Sequence, residues 1–127
     1  MKNNIASWFE IPTTVFDRAV KFYETVFAVK LEILDLGDLK MARFPSVGEA
    51  PGSQGSLVNH NKFYHPSENG VLIYLTSPSG DLNSDLKKVE EAGGKVIMPR
   101  RQISEAFGFM ALILDSEGNR IALHSMT

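Results

Sequence analysis

One order of elements is written twice along this chain: a strand, a helix and then three strands, followed by the same five again. In the first copy, residues 5 to 11 alternate, with Ile5, Phe9 and Ile11 on one side and Ala6, Trp8 and Glu10 on the other. That period of two marks a half-buried strand. Thr13-Thr14 then offers N-cap chemistry, and Phe16, Ala19, Val20, Tyr23, Val26 and Phe27 recur at helical spacing. The stretches "VKLEILDL" and "DLKMARF", parted by Gly37-Asp38, read as a hairpin. A Gly, Pro and Ser-rich loop, "SVGEAPGSQG", leads to a short strand in "SLVNHN".

The second copy opens with the strand "GVLIYLTS". "SGDLNSDLKKVEEAGG" brings cap residues, Leu82, Leu86 and Val89 at helical spacing, and a stop at Gly93-Gly94. "KVIMP", "FGFMALIL" and "NRIALHS" are three further strands, the last two joined by "DSEGN", whose Gly118 suits a turn with a positive backbone angle. Laying Ile5 to Leu31 over Gly70 to Val96, a shift of 65, sets strand on strand and helix on helix. The expected fold class is α+β, with two tandem βαβββ modules, about 1–62 and 68–127, whose curled sheets surround a shared cleft. With 127 residues, 43% of them hydrophobic, the chain has enough material for one domain, 1–127, with a real core.

Charge and residue usage remove several classes of function. A formal net charge of −2, with basic residues scattered, gives no footprint for nucleic acid or for an acidic membrane surface. The chain has no cysteine, which excludes a disulfide framework, a thiolate nucleophile and a cysteine metal site. "MKNNIASWFEIP" lacks the apolar centre of a signal peptide, and no apolar run approaches the roughly 20 residues of a membrane span. A cytoplasmic location is the expectation. No glycine-rich phosphate loop, zinc motif or Ser-His-Asp pattern is present.

The helix "FDRAVKFYETVFAVKLE", the pair in "EEAGGKV" and the terminal "DSEGNRIAL" resemble the vicinal oxygen chelate superfamily, which includes glyoxalase I, extradiol dioxygenases, and bleomycin and fosfomycin resistance proteins. The resemblance covers nearly the whole chain. One departure is Ala28, where members often carry Gly, at a cost to a left-handed helix cap. The resemblance implies a cleft often completed by a second chain, and a divalent metal held by one His or Glu from each of four strands. Carried onto this sequence, those positions are Trp8, Asn59, Leu72 and Ala122. An indole, an isobutyl and a methyl group supply no ligand, and one amide oxygen is a poor substitute for a carboxylate. No cofactor is therefore expected, and a divalent metal is the disfavoured alternative.

Strand parity then singles out other residues. Glu10 lies two past Trp8, Tyr74 two past Leu72 and His124 two past Ala122, so an acid, a phenol and an imidazole share one rung beside the missing metal site. In the catalytic reading Glu10 is a base, His124 its partner and Tyr74 a donor to a substrate oxygen. The plain readings stand beside it. Glu10 can be satisfied by a backbone amide, by Arg120 or by water. His124 can be solvated or at a dimer interface, and Trp8 and Tyr74 can pack. His60 and His65 read as surface-loop residues, and Arg100-Arg101 as a solvated loop. The expected function is binding of a small molecule at Trp8, Asn59, Leu72, Tyr74, Arg120 and Ala122. The alternative is a lyase, isomerase or dioxygenase-type enzyme, and a third reading is an interaction module. The expected partners are a small-molecule ligand and a second copy of the chain.

Overall fold

The structure, a computed structural model, describes residues 2–127. It contains the ten elements in the expected order: β1 (Trp8–Pro12), α1 (Phe16–Phe27), β2 (Glu32–Asp35), β3 (Lys40–Arg43), β4 (Gln54–Asn59), β5 (Ile73–Thr76), α2 (Leu82–Glu91), β6 (Lys95–Ser104), β7 (Gly108–Leu114) and β8 (Arg120–Ser125). They form two separate four-stranded sheets, ordered β1-β4-β3-β2 and β5-β8-β7-β6. In each module the first strand crosses over through the helix to pair in parallel with the last strand, and the other pairs are antiparallel. No helix among the described residues is long and apolar enough to cross a membrane.

The first strand starts later than the alternation suggests. Its partner β4 begins at Gln54, opposite Trp8, so nothing pairs with the residues before Trp8, and Ile5 is left 89% exposed. The uniform shift of 65 also fails at the strands, because it lays Trp8 on Ile73, which pairs with Ile121 in the core. Equivalent bonds instead run from Thr13 N to the Val58 carbonyl and from Ser77 N to the His124 carbonyl, which sets Trp8 on Leu72 and Glu10 on Tyr74. "SPSG" takes up the difference before α2.

Helix α1 buries Ala19, Phe22, Tyr23 and Val26, the positions of one helical stripe, against both sheets and α2. Each large side chain so removed from water stabilises the fold by roughly 1.5–3 kcal/mol. The predicted Thr13-Thr14 cap does not form. Val15 is the N-cap residue and has no capping side chain, while the Thr13 hydroxyl donates to the Val58 carbonyl. The cap comes from the other module: Glu117 Oε1 accepts from Thr14 N at 2.9 Å and from Val15 N at 2.6 Å, and Oε2 accepts from Arg18 Nε at 2.7 Å. A carboxylate there also meets the positive end of the helix dipole.

The same turn supplies further ties across the module boundary. Tyr23 donates to Asp115, and Asn119 Nδ2 donates to the Pro12 carbonyl at 2.8 Å and to Asp115 at 3.0 Å. The end of β1 is thereby fixed beside the start of β8. Helix α1 stops at Ala28, which has φ 53° and ψ 46°, the single non-glycine residue with positive φ among those described. Helix α2 is capped by Asp81, whose side chain accepts from Asn83 N, and its buried Asp85 accepts from the hydroxyls of Ser77 and Ser79. Sheet two departs from expectation at Arg100-Arg101. These lie within β6, which runs on to Ser104 through register shifts, and the Arg100 guanidinium stacks 3.8 Å from the Phe109 ring centre.

Candidate functional site

The strands β1 and β5 are the edges at which the two sheets face each other. A hollow of about 540 Å³ opens between them. Trp8 and Glu10 of β1 form one wall, Leu72 and Tyr74 the opposite one, and the end is closed by the segment around His65 and by Arg120 at the start of β8. A more apolar hollow of about 480 Å³ shares Trp8 and Tyr74 with the first and continues along Phe27 and Phe44. Trp8 is 41% and Tyr74 49% exposed, so both aromatic faces are open to a ligand.

Parity explains why these side chains point the same way. Phe9 and Ile11 turn toward the core, so Trp8 and Glu10 take the other face, opposite Gln54 and Ser56 of β4. In the second module Tyr74 stands opposite Ala122, and Thr76 opposite His124. Glu10 is fixed by two donors: the Trp8 indole N–H at 3.3 Å on Oε2 and the Tyr64 hydroxyl at 2.8 Å on Oε1. That hydrogen bond, assisted by burial and by the carboxylate charge, raises the Tyr64 pKa above the ordinary phenol value.

Arg120 faces the same hollow with its hydrogen bonding incomplete. Nη2 donates to the Gly70 carbonyl at 2.8 Å, whereas Nε is buried and has no partner among the described residues. The Ser56 hydroxyl, across from Glu10 on β4, is likewise buried and unpartnered. No ion pair links Glu10 to Arg120, although both line one cavity.

The predicted site residues divide into two groups. Trp8, Glu10, Leu72, Tyr74 and Arg120 meet at the hollow. Asn59 does not: it lies one residue beyond the face of Ser56 and Val58, and its Nδ2 donates to the Thr13 carbonyl and hydroxyl and to the Thr14 carbonyl, tying the end of β4 to the loop after β1. Ala122 is fully buried and sits opposite Tyr74, one rung from the position given by Leu72. His124 is separated from Glu10. It lines a shallower hollow with Phe107 and Ile103, and its Nε2 lies 2.6 Å from the Phe107 carbonyl. Because a carbonyl only accepts, that nitrogen carries the hydrogen. Tyr74 borders both hollows, its ring centre 6.5 Å from that of His124, and it donates its hydroxyl to the Met110 sulfur.

Two participants were not expected from the sequence. His65 lines the main hollow, with Nε2 2.9 Å from the Lys62 carbonyl, and Tyr64 holds Glu10. The available signal was the pair Phe63-Tyr64 within a polar stretch, since a solvated loop has no use for a second large ring. The metal-ligand positions carry an indole, an isobutyl and a methyl group, and β4 presents Gln54 and Ser56 to the same face. No group of three or more His, Cys, Asp or Glu among the described residues is arranged to hold an ion.

Comparison with known proteins finds the same fold. Glyoxalase I from Zea mays, in its E144Q form, superposes with a TM-score of 0.71 at 17% identity over 94% of this chain and 46% of its own. The glyoxalase I of Leishmania major gives 0.68 at 15% identity, over 98% and 88% of the two chains. TnmS3, an antibiotic binding protein from Streptomyces sp. CB03234, gives 0.62 at 21% identity, over 100% and 99%. The chain thus spans about half the length of the maize enzyme and nearly all of TnmS3. No protein-family model and no curated protein sequence matches it.

Proposed function

We propose that this chain, which has the fold of glyoxalase I and of an antibiotic binding protein, binds a small organic molecule in the hollow between β1 and β5 without a bound metal. The observation that carries this reading is the cavity itself. Its volume of about 540 Å³ lies within the roughly 300–1,000 Å³ of small-molecule sites, and it combines open aromatic faces with a small number of polar anchors. Binding is favoured over acid-base catalysis by two features. Both oxygens of Glu10 already accept hydrogen bonds, and the proposed partner His124 faces a different hollow.

Trp8 is the sole tryptophan, so its emission reports on this cavity and on the apolar hollow that continues from it. Titration of amphipathic small molecules is expected to shift or quench that emission and to raise the melting temperature, with the rise in melting temperature lost in Trp8→Ala. A broad collection that leaves both the emission and the melting temperature unchanged would overturn the reading.

A second copy of the chain is the proposed protein partner. The rim of the cleft carries Val71, 98% exposed, and the β1 and β5 edges are unpaired on one side. Sedimentation is expected to give a species of twice 14.1 kDa, and a monomer at micromolar concentration rejects it.

A further inference from the structure

The hollow is lined by two opposite charges that do not neutralise each other. Glu10 sits on β1 and Arg120 at the start of β8; both line the cavity, and the three ion pairs among the described residues involve neither. A guanidinium whose Nε is buried without an acceptor carries an uncompensated desolvation cost. An anionic group arriving in the cavity gives the Arg120 charge the counter-ion that no ion pair among the described residues supplies, and a carboxylate does so best because the guanidinium fork matches its two oxygens. Glu10 has lone pairs beyond the two used by Trp8 and Tyr64. Between the walls lie the exposed faces of Trp8 and Tyr74, which suit both an apolar body and a cationic head.

From these features we infer that the ligand is dipolar: an anionic oxygen group meets Arg120, an ammonium group meets Glu10, and an apolar segment lies between them against Trp8 and Tyr74. The inference rests on the small-molecule reading of this cavity and names the chemical class it takes. Such a ligand brings the two charges a partner each, where solvent supplies only screened contacts. A neutral molecule of the same shape leaves both charges without a counter-ion.

The test uses four compounds of one shape, aminohexanoate, hexylamine, hexanoate and hexanol, with the shorter and longer homologues of each to span the distance between the walls. Binding to the intact chain is read by calorimetry and by Trp8 emission. At the best length the amino acid is expected to bind about tenfold more tightly than the amine or the acid, and both of these more tightly than the alcohol. Arg120→Met is expected to weaken the acid and the amino acid about tenfold and leave the amine unchanged; Glu10→Gln is expected to weaken the amine and the amino acid and leave the acid unchanged. Arg120→Lys, which keeps the charge but not the fork, guards against a fold effect and is expected to fall between wild type and Arg120→Met. An alcohol that binds as well as the amino acid overturns the dipolar assignment and leaves the small-molecule reading standing. If no member of the series binds at any length while a molecule of the broader collection does, the dipolar assignment is overturned and the small-molecule reading stands.

Discussion

Tyr23 donates its phenolic hydrogen to Asp115 Oδ2 at 2.7 Å, a bond from the helix of the first module to a turn of the second. Both side chains are buried, and Asp115 also accepts from the backbone N–H of Glu117 and Asn119. Tyr23→Phe is expected to lower stability by roughly 1–3 kcal/mol, because a buried carboxylate loses a donor while the ring's packing is kept. Urea unfolding monitored by Trp8 emission checks the value. Burial first, and then the Asp115 charge, push the Tyr23 phenol well above the ordinary phenol value of about 10. A raised folded pKa contributes stability that is complete below the unfolded value and is lost as pH rises from there toward the folded one. Wild type is therefore expected to weaken above about pH 10 more steeply than Tyr23→Phe.

Glu117 gives the opposite dependence. Burial is the largest single influence on it and pushes its pKa upward, but Arg18, the Val15 N–H, Ser116 and the Thr14 N–H together outweigh burial, and the net shift is downward from 4.5. A depressed folded pKa contributes stability that is present above the unfolded value and lost as pH falls through the folded one. Glu117→Gln is expected to cost roughly 1–2 kcal/mol near neutral pH, as for loss of a good helix cap, and to flatten the fall in stability below about pH 4.5. Unfolding curves across an acid pH series measure both. A mutant with the wild-type slope would remove the cap from this account.

Ala28 holds a conformation that glycine adopts without strain. An L-residue there costs roughly 1–2 kcal/mol of backbone strain, partly offset by the lower entropy of its unfolded chain. Ala28→Gly is expected to raise stability by roughly 0.5–1 kcal/mol. Thermal and urea unfolding of the single variant decide it, and a destabilised protein contradicts the expectation.

The two glycines after α2 do different jobs. Gly93 has φ 101° and ends the helix, whereas a Cβ on Gly94 would stand 2.7 Å from the Leu114 carbonyl oxygen and 2.7 Å from the Phe22 ring. Gly94→Ala is expected to destabilise by roughly 1–3 kcal/mol through overpacking, since the backbone carbonyl cannot swing aside. Circular dichroism melts of this variant, set against wild type, provide the measurement.

Several features of this fold could be read from residue order alone. The repeat of one strand, one helix and three strands, the stripe from Ala19 to Val26, the cap at Asp81 and the facing of Trp8 and Glu10 away from Phe9 all follow from local periodicity, which acts over one turn or two residues. Leu72, placed by the resemblance, Tyr74, placed by strand parity from it, and Arg120, named as a partner for Glu10, line the hollow.

Other features depend on what stands opposite a residue, and no local pattern carries that. The sequence offered Thr13 and Thr14 as caps, but the carboxylate that serves α1 belongs to Glu117, about a hundred residues later, and reaches it only when the modules dock. Asn59 and His124 had a plausible parity, yet pairing register put Asn59 into a tie with Thr13 and turned His124 toward Phe107. A shift of one residue in register moves a side chain to the other face, which takes Asn59 off the face of Ser56 and Val58, whereas His124 keeps the face of Tyr74 but lies one rung further along, opposite Thr76. Tyr64 and His65 come to the cleft along a loop tied to β1 by the Tyr64–Glu10 bond and to β8 by the bond from Arg120 N to the Ser67 carbonyl. Local chemistry determined the parts and the faces of this protein; docking of the two sheets decided which faces share a cavity, because edge geometry is a property of two distant segments at once.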